Sequence, residues 1–213
     1  MTTPTNPLRL GVLLSGGGTT LENICQCIQR GELHAQVRIV ISTRNDAYGL
    51  VRARNRNIPT QIIRPKDYPD NASFSEAINQ CLDRHEVDLV LLAGFLSLWT
   101  MPERYYGRVM NIHPALIPSF CGKGFYGHRV HEAVLKAGVK VSGCTVHFAS
   151  NEYDRGPIIV QKCVPVLEDD TPETLAARVF EQECKAYPEA IRLFAEGRLK
   201  IEGRRTRILP PHA

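Results

Sequence analysis

The chain has no long apolar run. Nothing in its 213 residues approaches the length of a membrane span, and Met1 to Pro7 is polar where a signal peptide needs an apolar core. A disulfide or zinc framework is missing too. The seven cysteines, at 25, 27, 81, 121, 144, 163 and 184, are scattered through predicted regular elements without a C-x-x-C pair, which points to a reducing compartment and a cytoplasmic protein. Charge of one sign is scarce: 26 basic against 22 acidic side chains leaves +4. The cluster Gly203-Arg204-Arg205-Thr206-Arg207 is too short for a nucleic-acid tail and suits at most a small anion. Repeats, low-complexity segments and Pro/Gly/Ser-rich breaks are lacking as well. Residues 8–209 are therefore expected to form one domain between loose tails at 1–7 and 210–213.

What is present is an alternation of strand and helix patterns. Leu8 to Leu14 reads as an apolar strand, followed by Ser15-Gly16-Gly17-Gly18-Thr19-Thr20 and a helical pattern to about Ile28. Strands are predicted over Val37–Ile41, Thr60–Ile63, Val87–Gly94 and Arg108–Ile112, with helices over Asp46–Asn55 and Ser73–His85 and a short one over Pro102–Tyr106. Such an order gives a single doubly wound, mostly parallel α/β sheet flanked by helices, which takes its ligands at the carboxyl ends of the strands. Downstream, a helix is expected over His128–Ala137, then an antiparallel strand pair over Val141–Phe148 and Pro157–Val166. Thr171 and Pro172 open a long helix to about Glu196, and Leu199–Leu209 adds a terminal strand or hairpin.

The glycine loop can curl around an anion, with Thr19 and Thr20 capping the helix whose positive end faces it. It is neither a Walker A loop, which would need a Lys near its end, nor a dinucleotide fingerprint, which would need Gly where Leu21 stands. The strand ending in Ser42-Thr43-Arg44 also lacks an acidic residue to hold a ribose, so a small phosphate monoester is favoured over a nucleotide. Asn111 and His113 lie two residues apart at the end of an apolar strand stopped by Pro114, so they project to one side. That pair either binds an oxyanion or merely ends a strand. The glycine-rich Phe120–Gly127 reads as a mobile lid. His128 and His131 are spaced as metal ligands could be, but without a carboxylate or cysteine at ligand spacing they are read as capping or solvated groups.

Together, Ser15–Thr20, Asn111-Ile112-His113-Pro114, and Gly143-x-Thr145-Val146-His147-Phe148 with Tyr153-Asp154-x-Gly156 resemble the phosphoribosylglycinamide formyltransferases, from about Leu8 to Leu209. The resemblance implies transfer of a formyl group from 10-formyltetrahydrofolate, as co-substrate and without a metal, to the amine of glycinamide ribonucleotide in purine synthesis. It puts catalysis on Asn111, His113 and Asp154, the substrate phosphate on Gly17, Gly18, Thr19 and Thr20, and a further ribonucleotide contact on Glu183. The folate pocket would comprise Leu96, Ser97, Leu98 and Trp99 with Asn151, Asp154 and Asn111, although Trp99 could equally serve the core. This chain departs from the family at Ser97, where many relatives are basic, and by lacking an Arg near Asn71, which bears on the folate tail. Asp154 is expected to raise the His113 pKa, so that an imidazolium and an amide face the developing oxyanion. Expected partners are the two small-molecule substrates, with neither nucleic acid nor membrane, the chain acting as monomer or homodimer. Alternatives are formyltetrahydrofolate hydrolase, methionyl-tRNA formyltransferase, a sugar-nucleotide formyltransferase, or a non-catalytic phosphate- or folate-binding module.

Overall fold

The run Leu8–Leu14, apolar but for Arg9, forms β1, buried from Leu10 onward. The computed structural model describes residues 6–211; of the expected tails, residues 1–5 and 212–213 lie outside them. The chain divides into two compact units, one running to Met110 and the other over Asn111–Pro211.

In the first unit β1 is followed by α1 (Thr19–Gln29), β2 (Ala35–Ser42), α2 (Tyr48–Asn55), β3 (Thr60–Ile62), α3 (Asn71–Arg84) and β4 (Leu89–Leu92). β5 (Val109–His113) starts in this unit and ends in the second. β1 pairs in parallel with β2 on one side and β4 on the other, and β3 extends β2 in parallel. Strands covered on both faces must be apolar throughout, which is why Leu10, Val12, Leu13, Ile39, Val40, Ile41, Leu89, Val90 and Leu91 read as near-continuous hydrophobic runs. α3 starts two residues earlier than its pattern suggested because the Asp70 carboxylate accepts the Ser73 N–H at 2.7 Å.

The second unit contains α4 (His128–Ala137), β6 (Val141–Phe148), β7 (Ile158–Pro165), α5 (Pro172–Ala195), β8 (Leu199–Glu202) and β9 (Arg205–Ile208). β6 and β7 are the expected antiparallel pair, β9 lies parallel to β7, and β8 closes an antiparallel hairpin with β9. Thr171 caps α5 through a reciprocal box with Thr174, and Pro172 occupies the first turn, where its missing N–H costs nothing. Among the described residues the strands share one mixed sheet in the order β3-β2-β1-β4-β5-β6-β7-β9-β8.

Candidate active site

In the second unit, Asn111, His113 and Asp154 come together. β5 delivers Asn111 and His113 with the same orientation, and the chain leaves the strand at Pro114. Thr145 on β6 holds that departure: its hydroxyl donates to the Ala115 carbonyl at 2.7 Å and accepts the Ile117 N–H at 3.1 Å and the Gln161 amide at 2.9 Å. Two residues further along the same face of β6 stands His147, 1% exposed. Its Nδ1–H donates to the Phe148 carbonyl at 2.8 Å, so in the neutral ring Nε2 is an acceptor, and the Asn111 amide donates to it at 3.1 Å. The same amide reaches Asp154 Oδ1 at 3.3 Å. Sequence reasoning quoted His147 within a motif but gave it no role. The alternation along β6, which places Thr145 and His147 on one face, was the available signal.

Asp154 sits at φ 54°, a left-handed conformation that Asp tolerates better than most residues, and its carboxylate faces both imidazoles. Oδ2 accepts the Gly122 N–H at 2.8 Å and lies 3.7 Å from His113 Nδ1; Oδ1 lies 3.6 Å from His147 Nε2. Burial opposes the Asp154 charge, but His147, His113 and the Gly122 N–H outweigh it and hold the carboxyl below its ordinary value. His113 is 4% exposed, and its Nε2–H donates to the Phe120 carbonyl at 2.8 Å.

The expected charge on His113 is corrected here. Burial lowers its pKa and prevails over Asp154 and the Phe120 carbonyl, which raise it, so the neutral imidazole is favoured at neutral pH. The donors are also committed. Phe120, at φ 50°, turns its carbonyl onto His113, and Asn111 is shared between His147 and Asp154, so neither group points at an open oxyanion position. The glycine-rich segment expected as a lid therefore touches His113 and Asp154 through two backbone groups, the Phe120 carbonyl and the Gly122 N–H.

His131, Glu183 and Asn151 also belong to this unit. His131, read from sequence as capping or solvated, is instead 4% exposed on the inner face of α4, with Nδ1 lacking any hydrogen-bond partner. Burial, His128 and His113 lower it to about 4. Glu183 lies half-buried on α5, where burial raises its carboxyl to about 7. Asn151 is exposed in the loop before Asp154. Among the described residues no group of three or more His, Cys, Asp or Glu side chains is placed to hold a metal ion.

In the first unit the glycine loop leaves the carboxyl end of β1. Ser15 ties that edge together: its N–H donates to the Gly94 carbonyl at 3.0 Å, and its hydroxyl lies 2.7 Å from that of Thr43 and accepts the Leu96 N–H at 3.1 Å. The exits of β1, β2 and β4 are thereby joined through one small side chain. The expected capping by Thr19 and Thr20 does not occur. The cap position is Gly18 at φ 72°, without a side-chain hydrogen bond, and both threonines lie in the first turn of α1. Glu22 N–H to the Gly18 carbonyl is the helix's first bond, so the N–H groups of Thr19, Thr20 and Leu21 have no helical acceptor. Gly18 must be glycine: a Cβ there would lie 2.5 Å from Gly49 Cα.

Beyond β4, Leu96 and Leu98 are 53% and 42% exposed, with Ser97 half-buried between them. Trp99 is packed inward, edge-on to Tyr105, with its indole N–H donating to Asn79 Oδ1 at 2.9 Å. It anchors the segment from beneath. No helix among the described residues is long and apolar enough to cross a membrane.

Residues 8–191 match the family described as formyl transferase. The chain is 38% identical over 196 residues to the phosphoribosylglycinamide formyltransferase of Haemophilus influenzae, covering 91% of this chain and 90% of that one. It is 40% identical over 199 residues to the trifunctional purine biosynthetic protein adenosine-3 of Gallus gallus; the match takes 92% of this chain but spans only 19% of that protein. Among solved structures, glycinamide ribonucleotide transformylase 1 from Symbiobacterium toebii superposes with a TM-score of 0.91 at 46% identity, covering 99% and 98% of the two chains. The chain belongs to the formyl transferase family.

Proposed function

We propose that this protein transfers the formyl group of 10-formyltetrahydrofolate to the amine of glycinamide ribonucleotide, giving formylglycinamide ribonucleotide and tetrahydrofolate in purine biosynthesis. The observation that carries this reading is the cluster of Asn111 and Asp154 around two buried imidazoles, His113 and His147, in a member of the formyl transferase family. In the reaction a C–N bond forms between the amine and the formyl carbon, the bond from that carbon to N10 breaks, and one proton passes from the amine to N10. The intermediate oxygen carries negative charge. When the Phe120 carbonyl withdraws, His113 Nε2–H becomes available to that oxygen, and Asn111 can exchange its longer contact with Asp154 for the same purpose. Each such donor is worth about 3 kcal/mol in a water-excluded site. His113 Nδ1, facing Asp154, is the position at which the ring takes up a proton, and the carboxylate holds the imidazolium that results.

The phosphate of the ribonucleotide is assigned to the N–H groups of Gly17, Gly18, Thr19 and Thr20, where a helix N-terminus presents unpaired donors. Glu183, with a carboxyl that titrates near neutrality, is assigned to the ribonucleotide as donor or acceptor. Folate contacts are assigned to Leu96, Ser97 and Leu98 in the first unit and to Asn111, Asn151 and Asp154 in the second. Trp99 supports the folate segment rather than stacking on the pterin. Seven cysteines without a disulfide among them suit a reducing, cytoplasmic setting.

The test is a turnover assay with 10-formyltetrahydrofolate, with and without glycinamide ribonucleotide. The expected result is formylated ribonucleotide formed only when both are present. Release of formate at an equal rate without the ribonucleotide would replace this reading with that of a hydrolase, and no reaction under either condition would leave only a binding module.

A further inference from the structure

The glycine loop carries a problem that its own backbone cannot solve. Gly16 and Gly17 each bring a carbonyl as well as an N–H, and a carbonyl turned toward a phosphate repels it. Both carbonyls are engaged by α2. The Gly49 N–H donates to the Gly16 carbonyl at 3.1 Å, and Arg52 Nε–H donates to the Gly17 carbonyl at 3.0 Å. The approach is close: a Cβ at Gly18 would lie 2.5 Å from Gly49 Cα, and one at Gly49 would lie 3.3 Å from the Gly16 carbonyl oxygen and 2.6 Å from Leu14 Cδ2 of β1.

Arg52 is itself held on two sides. Its guanidinium lies over the Tyr48 ring at 5.1 Å, and its Nη1 is 3.8 Å from Glu22 Oε2. Glu22, in the first turn of α1, is in turn bound by Arg56, so the carboxylate nearest the loop is neutralised before any anion arrives. A peptide unit whose carbonyl is pinned on one side has its N–H facing the other way, because the two bonds are antiparallel across a trans peptide. Pinning the Gly17 carbonyl orients the N–H of Gly18.

We propose that Arg52 is a positioning residue for the ribonucleotide: by holding the Gly17 carbonyl against α2 it aims the loop's N–H donors at the phosphate. This rests on the assignment of the loop to the phosphate. The essential feature is a donor at the Nε position rather than a positive charge in the neighbourhood.

Three substitutions separate those possibilities. Arg52→Gln places a neutral N–H donor where Nε stood, Arg52→Lys keeps the charge but puts a methylene there, and Arg52→Ala removes both. The assay is steady-state turnover with glycinamide ribonucleotide and 10-formyltetrahydrofolate varied in turn. Arg52→Ala and Arg52→Lys should raise the KM for the ribonucleotide about tenfold or more, with kcat and the folate KM within about twofold of wild type, while Arg52→Gln recovers most of the loss. Thermal unfolding checks that all three variants fold, Glu22 retaining Arg56 as partner in each. A control addresses the underlying assignment: Gly17→Asp, where a side chain meets nothing within 4 Å, puts a carboxylate on the loop and should raise the same KM. If Gly17→Asp has its effect but Arg52→Ala does not, or if Arg52→Lys is normal while Arg52→Gln is impaired, the positioning role is overturned and the loop assignment stands. If Gly17→Asp leaves the ribonucleotide KM unchanged, the loop assignment fails and the role of Arg52 with it.

Discussion

Replacing Asp154 with Asn changes the charge beside His113 with little change in shape. Asn tolerates the φ of 54°, and its side-chain oxygen can still accept the Gly122 N–H now made at 2.8 Å. The charge interaction lost is that between His113 Nδ1 and Asp154 Oδ2, 3.7 Å apart. For unit charges at that separation it is about 1 kcal/mol in water-like surroundings and about 4 kcal/mol at an effective dielectric constant of 20. With His113 only 4% exposed, the upper part of that range applies. Even the lower figure cuts the imidazolium population at neutral pH roughly fivefold. The sign is determined by the balance at this ring: burial already lowers the His113 pKa and Asp154 is the first of the groups that raise it, so the variant's imidazole titrates at still lower pH. The amide nitrogen of Asn would also meet the Asn111 amide, now a donor to Asp154 at 3.3 Å, as donor against donor. Turnover should therefore fall and its pH profile move toward acid, while ribonucleotide binding stays near wild type. The measurements are turnover against pH, an NMR titration of the His113 ring, and calorimetric titration with ribonucleotide. A His113 that titrates unchanged or at higher pH in the variant would refute the reasoning, as would loss of ribonucleotide binding on the scale of the loss in turnover.

Two other outcomes are expected. Protease nicking between Phe120 and Gly127 should fall when both substrates are bound, because the segment that now contacts His113 and Asp154 would exchange those contacts for the substrates; unchanged nicking would remove it from the mechanism. His131, lowered to about 4 from an unfolded value of 6.5, makes the unfolded chain the better proton binder between those pH values, so its contribution to stability is lost as pH falls through that window, by about 3 kcal/mol in all. Urea unfolding of wild type and His131→Leu at pH 7 and pH 4.5 should show a weaker pH dependence in the variant, and parallel curves would show that His131 does not titrate as the buried ring it is taken to be.

Local chemistry made much of this fold legible in the chain itself. α4 and β6 run over the residues their patterns predicted, because glycines bound the helix and a run rich in β-branched and aromatic residues marks the strand. β4 is shorter than its apolar run, since Val87 N–H closes the turn after α3 by bonding to Leu82 and Gly94 turns away at φ 71°. Asn111 and His113 could be paired from their spacing along one strand, and the motif resemblance brought Asp154 to them across 43 residues. What local pattern could not supply was the sharing of donors and the sign of the charge. His147 competes for the Asn111 amide, the Phe120 carbonyl occupies His113, and Gly18 rather than a threonine caps α1. The first joins groups 36 residues apart at 3.1 Å, and the other two rest on left-handed backbone at Phe120 and Gly18 that no side-chain pattern announces. The protonation of His113 depends on more than its nearest carboxylate: burial by the whole unit outweighs Asp154, and only the folded chain sets the two against each other.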